Sequence, residues 1–239
     1  DGSIVDMGVF PYLNSYSGPV WFVETTGNDT IGTGSSDSPF ASIQSAINFA
    51  TTIDDSVTVA AGTYIENINF RGRNIKVVGE DKETTTIDGD ENGSVVVFDD
   101  GIEFNQYQDA VLKNFTITNG SGWEDGSGIK LHYFSSPTLT ELVVTNNMSY
   151  QSAGGISCES SCHPIIENVI VSNNTSASAG GVMCSGGSNP TLTNVTITGN
   201  TANENGGGIY IYSSSAPTLD RVTITGNTAN ENGGGIFLN

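Results

Sequence analysis

From about residue 110 onward the chain repeats itself every 26 or 27 residues, and this periodicity constrains the fold more than any other feature. Prolines recur at Pro137, Pro164, Pro190 and Pro217. A glycine followed by an aliphatic residue recurs at Gly128-Ile129, Gly155-Ile156, Gly181-Val182, Gly208-Ile209 and Gly235-Ile236. The two markers are independent and give the same register. Within a repeat, a Gly-rich turn leads into a short alternating run such as Ile209-Tyr210-Ile211. A Ser-rich turn follows, and then Leu219, Val222 and Ile224 precede an Asn turn. Alternation over such short runs is a strand signal, and no segment between them has the length or period of a crossover helix. Parallel strands without helices between them imply a solenoid, in which each coil buries its apolar residues against the next.

Stacking the repeats in register gives wholly apolar inward columns. One is Leu112, Leu139, Ile166, Leu192 and Leu219; the next is Phe115, Leu142, Val169, Val195 and Val222; beside it run Ile117, Val144, Val171, Ile197 and Ile224. A buried ladder demands this, because strands lie ~4.8 Å apart and a one-residue slip would turn every side chain over. Asn147, Asn174, Asn200 and Asn227 form a further column at the turn, expected to be a structural amide ladder. Cys158 and Cys184 share an inward column with Leu131, Ile211 and Leu238. They read as small core hydrophobes, and a disulfide between them or from Cys158 to Cys162 stays open at neighbouring-rung spacing. The expected fold is all-β: a right-handed parallel β-helix, a solenoid of 26–27-residue coils, with one short N-terminal capping α-helix.

That helix is read from residues 39–51, where Phe40, Ile43, Ile47 and Ala50 share one helical face and Pro39 and Ser42 are start signals. Strands are expected at 56–60, 64–70, 74–78, 84–87 and 95–98. The stretch contains Ser42-Ile43-Gln44-Ser45-Ala46-Ile47, then Val57-Thr58-Val59-Ala60-Ala61-Gly62-Thr63-Tyr64-Ile65-Glu66-Asn67, Ile75-Lys76-Val77-Val78-Gly79-Glu80 and Ile87-Asp88-Gly89. These segments resemble the N-terminal part of the pectin lyase-like superfamily, and with the coils the resemblance covers residues 20–239. It implies the fold strongly and the activity weakly, because lyases, hydrolases, esterases and inert surface modules share these motifs. Residues 1–17 look like a tail or linking segment of the kind that follows a preceding module in bacterial surface proteins. Residues 18–109 are expected to hold the cap and the irregular first coils, and 110–239 the regular coils with the last one incomplete. Both ends therefore read as those of a piece of a longer polypeptide, or of a subunit completed by its neighbours.

Net charge is −19, from 7 Lys+Arg against 26 Asp+Glu. That field opposes nucleic acid and anionic membranes, and it repels polyuronates unless a divalent cation intervenes. No apolar run approaches the ~20 residues of a membrane span, so membrane insertion is not expected. The composition suits a secreted protein, and the resemblance implies an extracellular or cell-surface setting of bacterial type. Asp88, Asp90, Glu91, Asp99 and Asp100 cluster around Gly89 and Gly93, which makes Ca²⁺ the candidate ion at hard oxygen ligands in loops. Tyr210, Tyr212 and Phe237 form a candidate interaction surface near the C-terminal end. The outward rows, Lys130-Ser157-Met183-Tyr210-Phe237 and His132-Glu159-Ser185-Tyr212-Asn239, contain no carboxylate pair, so no catalytic residues are assigned. The expected function is a non-catalytic structural or adhesive module. Its expected partners are a second copy or a neighbouring module joined through the β-helix ends, with end-to-end fibre formation as one form. The alternative is a polysaccharide-binding or polysaccharide-degrading β-helix.

Overall fold

The computed structural model describes residues 15–98, 109–123 and 126–239. Within them the chain winds as a right-handed parallel β-solenoid. Three sheets run along it, with 13, seven and five strands among the described residues. The pairings place like on like. Leu139 lies between Leu112 and Ile166, and Val144 lies between Ile117 and Val171. Ile166 then meets Leu192, and Leu192 meets Leu219. A single apolar core runs continuously from Trp21 to Ile211.

The inward residues of the large sheet are spaced by three and then two positions, as in Leu139, Leu142 and Val144. Simple alternation would turn Leu142 to the outside. The chain inserts one residue in the left-handed region at each coil: Asn114 (φ 63°), Glu141 (φ 52°), Asn168 (φ 54°), Asn194 (φ 54°) and Arg221 (φ 53°). Each acts as a bulge that bends the strand and returns the next apolar side chain to the core. In later coils the bend divides the expected run into two short strands, such as Ile165–Glu167 and Ile170–Ser172.

The N-terminal end is closed. The helix Ile43–Phe49 is capped by Ser42, whose side chain accepts from the Ser45 N–H, and Ile43, Ala46 and Ile47 are buried on its inner face. The next coil clamps both helix termini. Glu66 accepts from the N–H groups of Ile43 (2.8 Å) and Gln44 (3.0 Å). At the other end Arg73 donates to the carbonyls of Ile47 and Ala50. Opposite charges thus sit where the helix exposes its unpaired donors and acceptors. Burial pushes the Glu66 carboxyl up, against the pull of the two helix amides. The same residue explains a departure from the expected strand over 64–70: that run divides into Gly62–Ile65 and Ile68–Asn69, in different sheets, with Glu66 and Asn67 at the corner.

The first strand, Val20–Val23, is covered on its outer edge. Phe22 N–H donates to Gly34 (2.8 Å), Glu24 N–H to Phe40 (3.0 Å), and Phe40 N–H to Phe22 (3.0 Å). Gly34, at φ +80°, lies so close to the rings of Trp21 and Phe40 that a Cβ would approach Phe40 to 2.5 Å. The last coil is the opposite. Its strands Thr218–Asp220, Thr223–Thr225, Thr228–Ala229 and Ile236–Leu238 pair on one side. Leu219, Ile236 and Leu238, members of the inward columns, are 39%, 44% and 71% exposed there.

Candidate functional site

The asparagine column is a continuous hydrogen-bond ladder. Asn147 Oδ1 accepts from the Gly120 N–H (2.8 Å), and from Asn174 onward each side-chain oxygen accepts from both the backbone and side-chain N–H of the asparagine one coil earlier. Asn174 Oδ1 takes Asn147 N and Nδ2 at 3.0 Å each, and Asn200 Oδ1 does the same for Asn174. Asn227 Oδ1 accepts the two groups of Asn200 at 2.9 Å. Each amide also donates to the carbonyl of the preceding apolar column, as Asn174 does to Val144 (3.0 Å). Asn147, Asn174 and Asn200 are buried, and these bonds leave no amide hydrogen facing solvent. The column is committed to structure along its length.

The outer face of the seven-stranded sheet carries the aromatic surface. The rings of Tyr210 and Tyr212 stack at 4.8 Å, and Phe237 lies 5.3 Å from Tyr210. All three are half-buried. Three residues read as outward in the same rows are covered: Ser157 is fully buried, and Met183 and Ser185 are 2% and 5% exposed. Met183 packs with Ala153 and Ala179 under Tyr210 and Tyr212, so the rings roof a small satellite cluster. Ser157 Oγ donates to Glu159, and His132 stacks on Tyr133 at 3.8 Å. A second aromatic pair lies elsewhere. Trp123 and Tyr150, from consecutive coils of the five-stranded sheet, stack at 4.8 Å and are 70% and 46% exposed. The repeat pattern gives no warning of it, because the two residues occupy a turn position where other coils carry Ala177, Asn203 and Asn230.

The acidic loop is organised around Asp88. Its two carboxylate oxygens both accept from Asn119 Nδ2 at 3.0 Å, and Oδ1 also takes the Asp90 N–H (2.9 Å). Asp90 and Glu91 both have left-handed backbones, at φ 49° and 56°. Asp90 borders a shallow cavity of about 190 Å³ with Ile65, Glu66, Asn67, Gly89 and Asn92. Asp99 and Asp100 lie outside the described residues. Among the described residues no three His, Cys, Asp or Glu side chains converge into a metal-holding group.

The family described as the right handed beta helix region matches residues 55–229. The chain belongs to this family. A second family, the Chlamydia polymorphic membrane protein repeat, matches residues 221–239. Among solved structures, the crystal structure of pectate lyase Pel9A is similar at 16% identity and a TM-score of 0.39. The similarity covers 90% of this chain and 70% of that one. No curated protein matches the chain. Among the described residues no helix is long and apolar enough to cross a membrane.

As in the columns of any β-helix core, the cysteines of this one sit among hydrophobes. Cys158 and Cys184 are register partners, and both, with Cys162, are fully buried free thiols. Cys162 donates its S–H to the Glu159 carbonyl (2.9 Å). Burial pushes all three thiols up, Cys162 and Cys184 to about 12 and Cys158 well above its ordinary value. Such thiols stay protonated and unreactive at neutral pH.

Proposed function

We propose that this chain is a non-catalytic structural or adhesive module of an extracellular or cell-surface protein, of bacterial type: a stiff rod of stacked coils that joins a second copy or a neighbouring module through its β-helix ends. The observation that carries the proposal is the unbroken register of the coils. Core columns, asparagine ladder and sheet hydrogen bonds repeat from one coil to the next. A coil of the same kind, from this or another polypeptide, extends every ladder at once. The match of the last coil to a repeat named for Chlamydia polymorphic membrane proteins supports a surface setting.

The covered N-terminal rung limits what the chain does alone. An open-ended fibre needs two free strand edges per unit, and the 34–40 loop already pairs with the edge of Val20–Val23. The mass distribution of the full chain, measured by sedimentation over a concentration series with and without Ca²⁺, tests this directly. Association is expected to end at a pair joined through the C-terminal rungs and to be suppressed by Leu238→Lys. A monomer under every condition would overturn docking at this edge, and filaments would overturn the closed N-terminal end. Dependence on Ca²⁺ would assign a role to the Asp88, Asp90 and Glu91 loop.

A further inference from the structure

The five-stranded sheet sets up a gap in an aromatic column. Its pairings place Gly122, Ser149, Ser176, Ala202 and Ala229 in register. The next position on each coil therefore stacks as Trp123, Tyr150, Ala177, Asn203 and Asn230. Backbone hydrogen bonds hold the neighbouring steps, from Tyr150 N–H to Gly122 (2.9 Å), Asn203 N–H to Ser176 (2.9 Å) and Asn230 N–H to Ala202 (3.1 Å), and the strand register alone aligns Ala177 with Tyr150. Trp123 covers one face of the Tyr150 ring, with centroids 4.8 Å apart and planes 22° from parallel. At the next position along the rod the register places Ala177, which has no ring to offer. Asn203 stands one coil further, roughly 9.6 Å from Tyr150 at ~4.8 Å per rung.

We propose that this gap between Tyr150 and Asn203, floored by Ala177, is a binding slot for a neutral pyranose of a polysaccharide. The C–H face of a sugar carries slight positive charge and suits the negative face of the tyrosine ring. A puckered sugar ring is thicker than a flat one and fills the slot. An aromatic side chain from a protein partner, at ~3.5 Å contact on each side, spans only about 7 Å of it. The hydroxyls of a sugar pair with the exposed amides of Asn203 and Gln151, which an aromatic ring would leave without partners. Charge decides the kind of sugar. Glu204 is exposed beside Asn203, and the net charge of −19 repels uronates. The slot lies on the side of the rod and does not depend on what the C-terminal rung accepts.

Titrating the full chain with cellohexaose, maltohexaose, chitohexaose and trigalacturonate, and reading both heat and tryptophan fluorescence, tests the slot. At least one neutral oligosaccharide is expected to bind saturably and to perturb Trp123, with trigalacturonate silent. Ala177→Tyr fills the gap and is expected to weaken that binding by about tenfold or more, with circular dichroism and urea unfolding unchanged. Tyr150→Ala, which removes the stacking face, is expected to do the same. The proposal is overturned if no neutral oligosaccharide binds, if Ala177→Tyr binds as well as the parent, or if trigalacturonate binds equally tightly. Self-association that Ala177→Tyr abolishes would assign the pair to a protein contact and would overturn it too.

Discussion

Asn174 is the position where the ladder can be weighed. Its side chain makes four of the ladder's bonds: it accepts from Asn147 N and Nδ2, and it donates to Val144 O and Asn200 Oδ1. Asn174→Ala removes all four in a fully buried site. The Asn147 N–H and the Val144 carbonyl are backbone groups that water does not reach there. Each buried polar group stripped of its partner costs about 1–3 kcal/mol, which puts the substitution at roughly 2–6 kcal/mol. Asn227 holds the same place in the last coil, half-buried, where water substitutes for the lost amide. Asn227→Ala should therefore cost about 1 kcal/mol, the ordinary net value of a hydrogen bond. Equilibrium urea unfolding followed by circular dichroism measures both. Asn174→Asp adds a control: it keeps the acceptor and loses the donors, so its cost should be larger at pH 7 than near pH 3, where the carboxyl carries a proton. Equal losses for Asn174→Ala and Asn227→Ala would refute the view that the buried ladder, rather than the turn residue as such, holds the coils together.

Three further outcomes follow from the same geometry. Leu139→Ala should cost about 2–5 kcal/mol in urea unfolding, as for a fully buried leucine, and Leu219→Ala distinctly less, because Leu219 is 39% exposed in the last coil. The folded chain should resist thiol-specific reagents at pH 8 and react fully in denaturant. Its stability should also fall in alkali: folded thiol pKa values lie above the unfolded ~8.5, so the contribution is whole below that and is lost as pH rises toward about 12. The slope is up to ~1.4 kcal/mol per pH unit for each thiol, and Cys184→Ala should remove one share of it. Glu66→Ala leaves the Ile43 and Gln44 N–H groups without their acceptor, and hydrogen exchange over residues 43–50 should accelerate while the regular coils keep their protection.

The coils were legible in the sequence because burial in a solenoid is repeated. Leu112, Leu139, Ile166 and Leu192 each meet the same neighbours, and a demand made four times leaves a column that one sequence displays. The three-then-two spacing of the inward residues also held the signal for the left-handed bend. Asn at 114, 168 and 194 agrees with it, but Glu141 and Arg221 occupy the same backbone, so residue type alone hid the pattern. The clamp on the helix was not legible. Glu66 and Arg73 lie 23 and 26 residues from the groups they bind, and each does so once, with no repeat to reveal it. The Trp123–Tyr150 pair is of the same kind, a departure from the repeat at a turn that any residue tolerates.

The capped helix closes one end of the core. A strand edge left bare is a template for another chain, and at the N-terminal end a helix, the Trp21, Phe40 and Phe49 rings and the 34–40 loop cover one. The regular coils meet the same demand by pairing with one another, so Leu112, Leu139, Ile166 and Leu192 stay buried with no cover of their own.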